Sequence, residues 1–210
     1  MVKTNTKILI SIIIIVILIF GAYLFFKPLP SKTFVDTSYG FEVSYPQELD
    51  LRSNIDSKSN INEIDPNLKD MRLVTFISKE KSGELDAFSI NLIIYDEYTF
   101  NKSIRDTFPD KYILDIPFNT LLASQKGVLL EQSKSNKLGQ EEEKTFGELK
   151  GVLVSNTILN DDSIYYYFIF SDQNKRVLGE STLQIPTKDK SLIDKAIKDF
   201  NYILNNFKWR

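Results

Sequence analysis

The chain has neither cysteine nor histidine among its 210 residues. Without cysteine there is no disulfide, thiolate zinc site, iron–sulfur cluster or thiol nucleophile. The thioether-linked lipid of bacterial lipoproteins also needs a cysteine, so that anchor is excluded. Without histidine there is no Ser-His-Asp or Cys-His pair, and no imidazole ligand for haem or zinc. Carboxylate, lysine, serine and tyrosine chemistry remain, or no chemistry at all.

One long apolar run is present. Ile8 to Phe26 (ILISIIIIVILIFGAYLFF) carries no charge over 19 residues. As a helix it would span about 28 Å, close to the hydrocarbon core of a bilayer. It has no polar face, unlike a soluble core helix. A cleaved signal peptide would be shorter and would end in small residues, whereas Tyr23-Leu24-Phe25-Phe26 is bulky. A type IV pilin leader would place a glutamate just inside the run, and none is there. The expected organisation is a cytoplasmic stub over 1–7, a transmembrane signal anchor over 8–26, a proline-containing stalk over 27–32 and one extracytoplasmic domain over 33–210. The expected location is therefore the cell membrane, single-pass, with the N-terminus inside. The charge bias behind that orientation is weak, with Lys3 and Lys7 before the run and Lys27 and Lys32 after it.

The net charge of −2 divides unevenly. Residues 1–32 carry four lysines and no acid, so residues 33–210 carry 22 bases against 28 acids. A mildly acidic domain argues against nucleic acid and against lying flat on an anionic leaflet.

Strand patterns dominate residues 33–210. Phe41 to Tyr45 alternates and stops at Pro46. Leu51 to Lys69 reads as a loop with a short helix. Met71 to Ser78 reads as a strand, with a turn at Gly83. Phe88 to Tyr95 places Phe88, Ile90, Leu92 and Ile94 on one face. Phe100 to Phe108 reads as a short helix closed by Pro109. Lys126 to Gln132, Gly147 to Leu159, Ile164 to Phe170 and Val177 to Gln184 read as strands, with turns at Asn160-Asp161-Asp162 and Asp172-Gln173-Asn174. A C-terminal helix follows Pro186. Ser191 is its expected cap, and Leu192, Ala196, Phe200, Ile203 and Phe207 lie in its apolar stripe. These elements predict an α+β fold, with helices packed on an antiparallel sheet.

Tyr39-Gly40-Phe41-Glu42-Val43-Ser44-Tyr45-Pro46 resembles the opening motif of PsbP-like domains, and Ile203 to Trp209 is similar to that family's C-terminal tail. Relatives often carry a tryptophan where Leu49 stands here. The plant photosystem members are lumenal, extrinsic proteins with no membrane helix. The resemblance implies an α-β-α sandwich around an antiparallel sheet. It also implies an accessory or binding module, and it brings no catalytic motif. The expected role is a non-enzymatic module engaging a protein or cell-envelope partner. The alternatives are a histidine-free envelope hydrolase using carboxylate or Ser/Lys chemistry, and a module binding a metal or small ligand.

No residue earns a catalytic, cofactor or metal role from sequence. Glu141-Glu142-Glu143 could hold a cation or dock a basic partner, but successive acids rarely converge on one ion, and the run reads as a solvated loop between strands. Asn160-Asp161-Asp162-Ser163 lacks the glycine and closing glutamate of an EF-hand and reads as turn chemistry. Ser78-Lys79-Glu80-Lys81 matches S-x-x-K, but it ends a strand and its companion motifs are absent. Tyr165-Tyr166-Tyr167, with Phe168 and Phe170, could stack bases or glycans. On a buried central strand the same rings would pack on both faces instead. Asn101-Lys102-Ser103 is a formal glycosylation sequon without further support.

Overall fold

Period-two alternation builds most of the chain. The structure is a computed structural model that describes residues 30–53, 71–95, 115–172 and 177–210, with 115–117 described by backbone alone. Residues from Ser31 onward form one compact unit. The strands are β1 (Ser31–Asp36), β2 (Phe41–Pro46), β3 (Leu49–Ser53), β4 (Met71–Ser78), β5 (Lys81–Ser82), β6 (Leu85–Asp86) and β7 (Ser89–Tyr95). Helix α1 (Asp115–Gln132) precedes β8 (Gln140–Phe146), β9 (Leu149–Ile158), β10 (Ile164–Asp172) and β11 (Val177–Ile185). Helix α2 (Lys190–Asn205) and β12 (Phe207–Trp209) complete it. The main sheet has the order β3-β4-β7-β11-β10-β9-β8, a second has β1-β2-β12, and β5 and β6 form a small hairpin. The strand pairings within these sheets are all antiparallel.

Side-chain alternation sorts the core into two layers. Phe88, Ile90, Leu92 and Ile94 are all fully buried, as their spacing requires. They join Phe76, Phe168 and Phe170 under Phe41 and Val43 of β2 and Phe200 and Ile203 of α2. On the opposite face Val154, Tyr167, Ile169 and Leu178 pack with Leu129, and Phe118, Leu121 and Leu122 of α1 flank them. β10 lies between β9 and β11, and its rings divide by parity. Tyr166, Phe168 and Phe170 enter the first layer, and Tyr165, Tyr167 and Ile169 enter the second. The aromatic run is thus core packing on an inner strand.

Several expectations are corrected. The architecture is predominantly antiparallel β, with two helices among the described residues, and not an α-β-α sandwich. The physical reason lies in β1, β2 and β12. They form a second sheet whose inward residues Phe41, Val43 and Phe207 take much of the area that a helical layer would cover. Lys126 to Gln132 is the last part of α1 rather than a strand, because Leu129 reaches the sheet one helical repeat pattern beyond Phe118, Leu121 and Leu122. The cap of α2 is Asp189, whose carboxylate accepts from the amides of Ser191 (2.8 Å) and Leu192 (3.4 Å). β1 begins at Ser31, inside the segment read as a stalk.

The segment 8–26 lies outside the described residues, as do Phe100 to Phe108, the sequon Asn101-Lys102-Ser103, most of Leu51 to Lys69 and the turn residues Gln173-Asn174. Among the described residues no helix is long and apolar enough to cross a membrane. α1 has 18 residues but interleaves Asn119, Ser124, Lys126 and Glu131 with its leucines. The expected single-pass, extracytoplasmic placement is corrected on that finding and is not carried forward.

Gly179 tests the packing. It sits opposite Phe170 in the β10–β11 ladder, and a Cβ there would lie 2.3 Å from the Phe170 ring. That ring is wedged between Phe168 at 5.5 Å and Phe207 at 6.1 Å, so it has nowhere to swing. Gly179→Val is expected to lower stability by about 1–3 kcal/mol, the usual cost of overpacking. The urea midpoint measures it, and an unchanged midpoint would contradict this packing.

Candidate functional site

β8 is an edge strand that sequence reasoning took for a loop. Glu141, Glu142 and Glu143 stand on it rather than in a solvated connection, and its residues stay at least partly exposed until Phe146. Phe146 anchors its end in the core, edge-on to Phe168 at 5.0 Å. The following turn is clamped. Gly147 has φ +55, and a Cβ there would lie 2.7 Å from the Asn205 carbonyl oxygen. Its amide donates to Asn205 Oδ1 at 3.1 Å, and the Trp209 amide donates to Glu148 at 3.2 Å. On the other side Lys126 of α1 reaches Glu141 at 2.5 Å. The position of β8 is therefore fixed by both helices and by the C-terminal tail.

Beside β8 lies an open cleft of about 520 Å³, lined by Phe118 of α1, Glu143, Lys144 and Thr145 of β8, Lys150, Gly151 and Val152 of β9, and Ser171 of β10. Register explains the assembly. Glu143 lies opposite Val152 and Thr145 opposite Lys150, so both pairs share the face that carries α1. Phe118, in the first turn of α1, closes one end. Lys144 is held by Glu142 at 3.1 Å. The cleft thus joins both charge signs, two hydroxyls and one aromatic wall.

The most perturbed titratable groups lie elsewhere. Glu180 of β11 is 4% exposed and sits in the layer under α1. Tyr95 donates to its Oε1 at 2.9 Å and Tyr167 to its Oε2 at 2.7 Å. Burial raises the Glu180 pKa above the ordinary 4.5, and the two tyrosine hydrogen bonds oppose that rise without cancelling it. Burial, with the Glu180 charge added, pushes both tyrosines well above their usual range. Sequence reasoning set no acid apart here. The available signal was a lone acid at the middle of Leu178-Glu180-Thr182, on the face of a strand whose next neighbour carries Tyr165 and Tyr167. This group is sealed, and it does not line the cleft.

The sequence candidates are not brought together. Ser78 is buried, and its hydroxyl accepts from the Glu80 amide at 3.1 Å. Lys81 pairs with Asp86 and Lys79 with Asp50, so the S-x-x-K match is a strand end and a hairpin. Asp161 accepts from the Ser163 amide at 2.9 Å, and Asp162 is held by Lys134 and Lys188. Those two lysines keep the Asp162 carboxyl below its usual range. Asn160 to Ser163 is a turn. Among the described residues no group of three or more acids could hold a metal ion.

Glu180 gives a pH prediction. Its proton is held more tightly in the folded state than in the unfolded chain, so its contribution is fully present below pH 4.5 and is lost as pH rises through the raised folded value. Glu180→Gln is expected to remove that decline and to gain stability over wild type as pH rises toward neutrality. Thermal melts of both proteins across acid to neutral pH check it. Parallel stability curves would contradict it.

No protein-family model matches the chain, and no curated protein does. Similar solved structures include the solution structure of cyanobacterial PsbP (CyanoP) from Synechocystis sp. PCC 6803, at 11% identity over 87% of this chain and 94% of that one, with a TM-score of 0.44. They also include the Saccharomyces cerevisiae Ran-binding protein Mog1p, at 9% identity over 87% of this chain and 96% of that one, with a TM-score of 0.46. At these identities and TM-scores no partner, activity or residue role passes from either protein to this chain.

Proposed function

We propose that the chain is a non-catalytic binding module, and that a protein partner engages the β8 edge and the cleft beside it. The observation that carries this reading is the exposed acidic row on an edge strand, next to an open cleft. An edge strand presents backbone donors and acceptors that an extended segment can pair with. Glu142 and Glu143, on the two faces of the β8 edge, favour a basic segment, and in the cleft Phe118 and Val152 offer apolar contact to its side chains. The groups with raised pKa values, Glu180, Tyr95 and Tyr167, are withdrawn into the core, which suits a structural role for them better than acid–base turnover.

Site-specific photo-crosslinking in the native host tests this. A photoreactive side chain at Thr145 is expected to capture a discrete protein adduct, and the same probe at Lys190, on the exposed side of α2, to capture none. Adding Glu142→Lys and Glu143→Lys should reduce the Thr145 adduct by about tenfold, as reversing rim charges slows encounter. Adducts only at Lys190, or an adduct indifferent to the charge reversal, would overturn the reading.

A further inference from the structure

Two charges on the walls of the β8 cleft are left over once the internal ion pairs are made. Glu141 is taken up by Lys126 of α1, and Glu142 by Lys144 on the other face of β8. Among the described residues, Glu143 and Lys150 make no ion pair, and both are exposed. Glu143 lies opposite Val152 and Thr145 opposite Lys150, so the two charges stand diagonally on one face of the β8–β9 ladder. Thr145 sets a hydroxyl beside Lys150, and Ser171 brings a second hydroxyl into the same cleft. The cleft therefore presents a carboxylate on the edge strand and an ammonium one strand further in.

We propose that the extended segment engaged by β8 carries an acidic and a basic side chain two residues apart, the basic one meeting Glu143 and the acidic one Lys150. The pattern rests on the reading of β8 as the docking strand, and it makes charge order, not net charge, what the cleft selects. Residues two apart on a strand point to one face, so both side chains of the segment enter the cleft together. The one opposite Glu143 is in direct cross-strand contact with it. The one opposite Thr145 starts two strand spacings from Lys150, roughly 10 Å away. A glutamate and a lysine cover that distance between them, across the short Thr145 side chain. Phe118 and Val152 supply apolar surface for the stems of these long side chains. A segment basic at both positions would set a cation against Lys150, and like charges facing one another oppose binding.

Fluorescence anisotropy of labelled peptides with the full chain tests this, at low ionic strength where exposed charges are least screened. The peptides are Thr-Thr-Glu-Val-Lys-Thr-Thr and the same sequence with lysine in place of glutamate. Wild type is expected to bind the Glu-Val-Lys peptide about fivefold more tightly than the Lys-Val-Lys peptide. Lys150→Glu should reverse that order, and the exposure of Lys150 leaves the fold unaffected by the change. Equal or tighter binding of Lys-Val-Lys by wild type overturns the proposal and leaves an edge that reads net charge. An order unchanged by Lys150→Glu also overturns it. So does failure to bind either peptide, and a charge-sensitive adduct at Thr145 would then leave the docking edge standing without the pattern. Peptide selectivity that follows Lys150, with no adduct at Thr145 in the host, supports the pattern and removes the native partner instead.

Discussion

The ring of Phe207 lies between two sheets and is 1% exposed. It stacks on Phe41 of the three-stranded sheet at 5.3 Å and tilts against Phe170 of the main sheet at 6.1 Å, with Trp209 edge-on at 4.7 Å. The backbone that carries it pairs with β2, with Phe207 opposite Val43 and Trp209 opposite Phe41. α2 runs directly into this strand, so the same few residues tie the helix, the small sheet and the main sheet together. Beyond them, Arg210 reaches back to the Gly40 carbonyl at 2.7 Å and closes the tail on the turn before β2.

With this joint made, both faces of the main sheet have cover: β2, β12 and α2 on one side and α1 on the other. Among the described residues, the β8 edge and the cleft beside it stay open for recognition. Glu180 beneath α1 has a tyrosine hydroxyl on each carboxylate oxygen, which meets its hydrogen-bonding needs while keeping it from solvent.

Alternation made the strands legible. Phe88 to Ile94 and Tyr165 to Phe170 gave their faces by parity alone, because one-residue slips would turn every ring to the wrong side. The turn at Asn160-Asp161-Asp162 was legible from its residue types. α1 was not. Gly127 interrupts it, and Val128 and Leu130 stay exposed, so its apolar residues follow no single stripe. Its helical state rests on Phe118, Leu121, Leu122 and Leu129 meeting the sheet, a tertiary fact. The acids of β8 misled for a related reason: Glu has low strand preference, and only the pairing with β9 holds them extended. Asp189 and Ser191 are both good caps, and the extended backbone at Asp189, with φ −68 and ψ 115, decides between them. The cleft and the environment of Glu180 depend on which strands become neighbours, which local pattern does not encode.

The claim that one aromatic joint makes the two sheets a single cooperative body is tested most directly at Phe207. Urea unfolding of Phe207→Ala, followed by tryptophan fluorescence for the tail and by far-ultraviolet circular dichroism for the strands, measures both sheets at once. The account predicts a loss of about 3–5 kcal/mol with the two signals falling together. A loss under about 1 kcal/mol, or a main sheet that keeps the wild-type midpoint while the tail signal moves away, would contradict it.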